Sequence, residues 1–134
     1  MRVFRRVMLG GGIDIDALPD TQKLYYKAAA KVTPKSNSLG SPVIANKWDA
    51  TTGEGVIVCT KDISKIEADA FKSNTSLTSI TIPSSVTVIG YSAFYNCTSL
   101  TDVNIPNSVA MVGVDAFSGC TSLPIINSIR YADT

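Results

Sequence analysis

Three cysteines, Cys59, Cys97 and Cys120, are the residues best suited to metal or redox chemistry in this 134-residue chain, which contains no histidine. A zinc site usually needs cysteines in CxxC spacing or cysteines combined with histidine, and neither arrangement is present. A Ser-His-Asp triad needs a histidine, although serines are plentiful. The sequence therefore predicts no metal site, no catalytic residues and no enzymatic activity.

Two glycine-rich stretches are the places where a nucleotide or phosphate could bind. "LGGGID", which begins at Leu9, lacks the GxGxxG spacing of a dinucleotide site and does not follow a buried strand. "TTGEG", which begins at Thr51, lacks the Lys and the Ser or Thr that complete a phosphate loop. We therefore expect a flexible linker at the first stretch, a turn at the second, and no cofactor.

Two of the cysteines belong to a phrase that occurs three times, as "AFKSNTSL", "AFYNCTSL" and "AFSGCTSL", starting at Ala70 and recurring every 23 residues. Cys97 and Cys120 occupy the same position in successive copies, so stacked copies would bring them to about 5 Å from each other. That separation leaves a disulfide open. The first copy has Asn74 at this position, which favours two small buried thiols over a bridge.

The phrase lies within a unit of 23 residues that occurs at residues 61–83, 84–106 and 107–129. Apolar residues recur at five positions of the unit, and each set should stack as a ladder. The sets are Ile63, Val86 and Val109; Ile66, Ile89 and Val112; Phe71, Phe94 and Phe117; Leu77, Leu100 and Leu123; and Ile80, Val103 and Ile126. One unit buries too little apolar surface to fold alone, so the units should fold only as an array.

The end of each unit has the spacing LxxLxL, which predicts a short strand with its apolar side chains inward. Four polar residues alternate with those apolar positions and should face outward. They are Ser79, Thr81, Asp102 and Asn104. Because they can vary without harming the core, they are the candidate ligand-binding residues.

Prolines and glycines should mark the limits of these strands. Pro83 and Pro106 should end a strand because proline donates no backbone hydrogen bond. Gly90 and Gly113 should permit a tight or left-handed backbone before the Ala-Phe turn. In the third unit, Pro124 departs from the pattern at the point where the strand should begin.

The 23-residue period, the "AF..CTSL" phrase and the "SITIP" or "VNIP" endings resemble the BspA-like leucine-rich repeats, also called the Treponema pallidum type. The resemblance covers Lys61 to about Leu123. It implies a mainly β leucine-rich-repeat solenoid with short helical turns, right-handed, with a parallel sheet on its concave side. It also implies protein binding or adhesion at a bacterial cell surface or outside the cell.

The region before the units does not repeat, and we divide it into an N-terminal extension or linker at residues 1–20 and a β-hairpin cap at residues 21–60. "KLYYKAAAKVTP", Lys23 to Pro34, fits a helix or a strand, and the alternation of its apolar residues with lysines favours a strand. Val43 to Trp48 and Gly55 to Thr60 should form two further strands joined by a turn. This segment should cover the apolar end of the solenoid.

Charge and targeting signals limit the partners. A formal net charge of +1 gives no electrostatic reason to expect nucleic acid or an anionic membrane. The apolar stretch from Val7 to Leu9 is too short for a secretory signal, and no window approaches a membrane span. We therefore expect a protein or surface-glycan ligand, with a structural or assembly segment of a phage, prophage or envelope particle as the alternative function.

The C-terminal residues 130–134 follow the third unit directly, and we interpret them as a truncated tail. A solenoid end without a polar capping unit exposes apolar surface and unpaired strand groups. The sequence therefore predicts a fragment of a longer array, or self-association through that end.

Overall fold

Strands form both in the region before the units and at the repeated apolar positions within them. The structure is a computed structural model that describes Met8–Leu9 and residues 13–124. The strands in those residues are β1 (Met8–Leu9), β2 (Ile13–Asp14), β3 (Lys23–Ala28), β4 (Val43–Trp48), β5 (Glu54–Cys59), β6 (Lys65–Ile66), β7 (Leu77–Thr81), β8 (Val88–Ile89), β9 (Asp102–Asn104) and β10 (Met111–Val112).

The first and second units each contribute to two separate sheets, and the described part of the third unit contributes to one. Strands β7 and β9 pair in parallel within a five-stranded sheet of order β4-β5-β3-β7-β9. Strands β6, β8 and β10 form a second, parallel sheet of order β10-β8-β6. The ladder of Ile66, Ile89 and Val112 was predicted from the sequence, but the strands that carry it were not.

Backbone hydrogen bonds join successive units outside the strands as well. The Phe71 amide donates to the Ala93 carbonyl at 2.7 Å, and the Phe94 amide donates to the Ala116 carbonyl at 2.8 Å. The same pattern therefore holds between the first and second units and between the second and third. Each unit satisfies the polar groups of its neighbour, as a stacked array requires.

The predicted phenylalanine ladder is confirmed. The rings of Phe71 and Phe94 are stacked with centroids 5.3 Å apart, and those of Phe94 and Phe117 with centroids 5.2 Å apart. Phe71 and Phe94 are fully buried, whereas Phe117 is half-buried. The ring spacing is close to the distance between adjacent strands, because one ring stacks on each unit.

The other apolar ladders also form one continuous core. Its buried members from the units include Ile63, Ile66, Leu77, Ile80, Val86, Ile89, Leu100, Val109 and Val112. Val103 and Leu123 are partly buried and pack against this core. Ile126, the predicted last strand of the third unit and the predicted tail at 130–134 lie outside the described residues.

The prediction of a left-handed backbone at Gly90 and Gly113 is wrong, although the tight approach is real. Neither residue has a positive φ. A Cβ on Gly90 would lie 2.6 Å from the Ala68 amide nitrogen, so the missing side chain lets two units approach each other. Left-handed residues instead recur at two other positions of the unit. They are Asp69, Ser92 and Asp115, and Ser73, Asn96 and Gly119.

The region before the units contains the predicted hairpin with small shifts in its limits. Strand β4 has the predicted bounds, and β5 begins and ends one residue earlier than expected. The strand expected from Lys23 to Pro34 ends at Ala28. Strand β3 lies between β5 and β7 and is antiparallel to both.

Lys23 corrects the expected alternation. The sequence places it on one face with Lys27 and Lys31, opposite the apolar residues, and those two are exposed. The Lys23 side chain is instead buried, with its ammonium 3.6 Å from the carboxylate of the exposed Asp20. The described helices are two short 3-10 turns, Ile15–Ala17 and Asp20–Gln22, which precede β3 rather than lying in the units.

Candidate binding surface

The four candidate residues lie together on the outward face of the five-stranded sheet. Ser79 is in register with Asp102, and Thr81 is in register with Asn104. Thr81, Asp102 and Asn104 are exposed and Ser79 is half-buried, while Ile80 between the two β7 residues is buried. The alternation predicted from the sequence therefore holds for both strands.

Strand β3 extends this outward face beyond the units. Lys27 is in register with Ser79, and Tyr25 is in register with Thr81. Lys27 is exposed and Tyr25 is half-buried. The sequence alone did not connect these residues with the candidate surface, because the pairing joins segments more than fifty residues apart in the chain.

The side chains of the surface are not used to hold the units together. Neighbouring threonine hydroxyls make such bonds instead. Thr78 Oγ1 donates to the Lys27 carbonyl of β3 at 3.0 Å, and Thr101 Oγ1 donates to the Thr78 carbonyl of the preceding unit at 3.1 Å. Within the described residues, the side chains of Ser79, Thr81, Asp102 and Asn104 make no hydrogen bond or ion pair. They are therefore available to a ligand.

A short segment covers the outward face at the other end of the sheet. Ile15 is buried against Val56 and Val58 of β5, and Leu18 packs on the same cluster. Residues 13–20, which the sequence suggested as part of an extension or linker, thus include a buried anchor. Tyr25 also packs against this cluster, so the open surface stops at β3.

Tyr26 fixes β3 against the hairpin from the inner face. Its hydroxyl donates to Asn46 Oδ1 at 2.9 Å, and Asn46 Nδ2 donates to the Val32 carbonyl at 2.7 Å. Burial raises the pKa of Tyr26 above its ordinary value of 10.0. Gly55 lies opposite Tyr26 in β5, and a Cβ there would collide with the tyrosine ring.

The loop before β4 also contacts the first unit. The Lys35 amide donates to the Ala70 carbonyl at 2.8 Å, and the Glu67 amide donates to the Ser38 carbonyl at 2.7 Å. These bonds have the form of the bonds between successive units. The loop thus takes the side of the first unit on which a preceding unit would stack.

The three cysteines are buried free thiols, as the sequence favoured for Cys97 and Cys120. Cys97 Sγ donates to the Phe71 carbonyl at 3.1 Å, and Cys120 Sγ donates to the Phe94 carbonyl at 3.0 Å. The hydrogen-bonding interaction with the Cys120 thiol, together with burial, raises the pKa of Cys97. Burial raises the pKa of Cys59 to about 11. Cys59 and Cys97 are held protonated in this way, which makes these two thiols structural rather than nucleophilic.

Two further observations concern metal binding and membrane-spanning helices. No group of three or more His, Cys, Asp or Glu side chains within residues 13–124 could hold a metal ion. In the part of the chain that the structure describes, no helix has the length and apolar character needed to cross a membrane.

Comparisons with known proteins identify the repeats. The family model described as "BspA type Leucine rich repeat region (6 copies)" matches residues 55–131, which is more than half of the chain. A search of curated proteins found no match.

Three solved structures are similar to part of the chain. A leucine-rich repeat protein of T. pallidum is 33% identical over 48% of this chain and 30% of that chain, with a TM-score of 0.47. A leucine-rich cell surface protein of Faecalibacterium prausnitzii is 45% identical over 46% of this chain and 18% of that one, with a TM-score of 0.44. A leucine-rich repeat protein of Bacteroides ovatus is 39% identical over 61% of this chain and 19% of that one, with a TM-score of 0.47.

The chain thus spans less than a third of the length of each of these proteins. The family match begins within β5, just before the first unit, and covers all three units completely. Together with the stacked ladders, it shows that the chain belongs to the BspA-type leucine-rich repeat family.

Proposed function

We propose that the chain is a non-enzymatic protein-binding or adhesion module that presents the outward face of its repeat strands, on the concave side of the solenoid, to a ligand. One observation carries the proposal: Ser79, Thr81, Asp102 and Asn104 lie side by side, and their side chains have no hydrogen-bond or ion-pair partner among the described residues. The leucine-rich repeat is in general a binding fold rather than a catalytic one.

The physical basis is that, within each strand, inward side chains stabilise the fold and outward side chains remain open to a ligand. Buried residues such as Ile80 fix the backbone of β7, so the outward side chains keep their positions without being needed for stability. A ligand that binds such a surface has few side chains to order and leaves the core unchanged. Repeat arrays provide extended binding surfaces in this way.

We propose that residues 21–60 act as an N-terminal cap for the units. Support comes from β3, which pairs with β7, and from the Lys35 and Glu67 amides, whose bonds join the loop before β4 to the first unit. Such a cap satisfies backbone groups and covers apolar surface that an exposed first unit would present to water. We further propose that the module belongs to a larger bacterial surface protein.

The experiment is a binding assay of the whole chain against immobilised extracellular-matrix proteins and an array of cell-surface glycans. The test variant changes Ser79, Thr81, Asp102 and Asn104 together to alanine. The control variant changes three exposed polar residues elsewhere in the units, Ser84, Asn107 and Thr121, to alanine.

We expect the control to bind like the wild type and the test variant to lose binding, while both keep the wild-type circular dichroism spectrum. Retention of full binding by the folded test variant would reject this surface as the ligand site.

A further inference from the structure

Two opposite charges flank the centre of the candidate surface. Lys27 is in register with Ser79, and Ser79 is in register with Asp102, so the three residues form one row across β3, β7 and β9. The row spans two strand spacings, which places the charged residues about 10 Å apart. Both charged residues are exposed.

Neither charged residue forms an ion pair with a neighbour among the described residues. Glu54 is in register with Lys27 on the other side of β3, but no ion pair joins them in the part of the chain that the structure describes. Asp102 likewise makes no ion pair within residues 13–124. The sheet thus presents a separated cation and anion with hydroxyl and amide groups between and beside them.

We propose that the ligand surface extends from the units onto β3, and that it takes a mixed-charge polypeptide segment. An acidic side chain of the segment pairs with Lys27, and a basic side chain pairs with Asp102. Ser79 and Thr81 supply hydrogen bonds to the backbone between those side chains. The inference rests on the proposed function and names the partner chemistry of that same surface.

Charge complementarity favours a polypeptide over a neutral glycan. A neutral sugar chain would cover Lys27 and Asp102 without a countercharge for either, and removing an unpaired charge from water is unfavourable. A polypeptide can present both charges at the required distance. In a polyproline II conformation, residues i and i+3 lie on one face about 9 Å apart, which is close to the spacing of the row.

The covered end of the sheet limits how such a segment lies. Ile15 and Leu18 cover Val56, the β5 residue that is in register with Tyr25. A segment on the open face therefore extends from β3 over β7 and β9, and not towards β5. This places Lys27 at one end of the contact rather than outside it.

The test follows the backbone amide signals of the 15N-labelled whole chain during titration with synthetic peptides. The probe is acetyl-Pro-Glu-Pro-Pro-Lys-Pro-amide, which holds its charges three residues apart. The control peptide, acetyl-Pro-Pro-Glu-Lys-Pro-Pro-amide, has the same composition with adjacent charges. Maltohexaose and chitohexaose serve as neutral glycan probes.

We expect the probe to shift the amide signals of Lys27, Ser79 and Asp102. Lys27→Glu and Asp102→Asn should each weaken the apparent affinity roughly three-fold, and about 0.5 M sodium chloride should weaken it further. Lys61→Glu, the same charge change at an exposed residue outside the sheet, should leave it unchanged. Lys27→Gln provides a milder second variant if Lys27→Glu perturbs the fold.

Three results would overturn the inference: no shift at these amides in the wild type, equal affinity of the probe for the Lys27 variants, or a glycan that shifts the same signals more strongly than the probe. The matrix and glycan assay separates this inference from the proposed function. If the fourfold alanine variant loses binding there while Lys27→Glu keeps it, the inference fails and the proposed function stands. If neither variant loses binding, both fail.

Discussion

Phe94 is the central ring of the phenylalanine ladder, so its truncation should reduce stability strongly. Its ring lies between those of Phe71 and Phe117, at 5.3 Å and 5.2 Å, and it is fully buried. Neighbouring units cannot close the gap easily, because backbone hydrogen bonds on both sides of Phe94 hold them at a fixed spacing. We therefore expect Phe94→Ala to lower the free energy of unfolding by about 3 to 5 kcal/mol.

Equilibrium unfolding in urea measures this loss. Phe117→Ala should cost less, since that ring is half-buried, and Tyr91→Ala should cost little, since Tyr91 is exposed. A Phe94→Ala midpoint equal to that of Tyr91→Ala would contradict the role of the ladder.

Among the elements, the turns that follow β8 and β10 depend on close approach between units. A Cβ on Gly90 would lie 2.6 Å from the Ala68 nitrogen and 2.8 Å from the Glu67 carbonyl carbon, both of which are backbone atoms. Neither atom can move without shifting the first unit. We expect Gly90→Ala to destabilise the chain by about 1 to 3 kcal/mol, as overpacking usually does.

A glycine introduced nearby is the matched control. Asn96 has a φ of 59°, and its equivalent in the third unit is Gly119, with a φ of 80°. Asn96→Gly should therefore change stability by less than about 1 kcal/mol, because glycine adopts this conformation without a steric penalty. Urea midpoints for both variants measure these changes in stability. A wild-type midpoint for Gly90→Ala would show that the units can move apart at that point without a loss of stability.

For the whole molecule, the buried thiol of Cys59 predicts a loss of stability at high pH. Burial raises the pKa of Cys59 from its ordinary 9.0 to about 11, so the folded chain keeps a proton that the unfolded chain releases. The contribution of Cys59 is therefore complete below about pH 9 and is lost as the pH rises towards 11.

Urea midpoints measured from about pH 7 to pH 11 test this dependence. We expect the midpoint to fall above about pH 9 in the wild type and to fall less steeply in Cys59→Ala, which has no thiol to ionise at that position. Parallel curves for the two proteins would exclude Cys59 as a source of the effect.

The sequence by itself determined the repeated part of the protein. The 23-residue period assigned the ladders, the inward and outward faces of β7 and β9, and the four candidate residues, because in a stacked array each residue meets its equivalents in neighbouring units. In the repeated part, the local sequence pattern therefore also specifies which residues are in contact between units. The same logic placed Cys97 and Cys120 in equivalent positions as buried thiols.

Only the tertiary structure decided how the region before the units packs against them. Lys23 shares a face with the exposed Lys27 but is buried. Ile15 was expected in an extension or linker and is buried in a second apolar cluster, and β3 pairs with a strand of the first unit. These contacts join segments with no period in common, so nothing in the local pattern specifies their register. Lys27 reaches the candidate surface for the same reason: its position depends on the pairing of β3 with β7, which forms only when the chain folds.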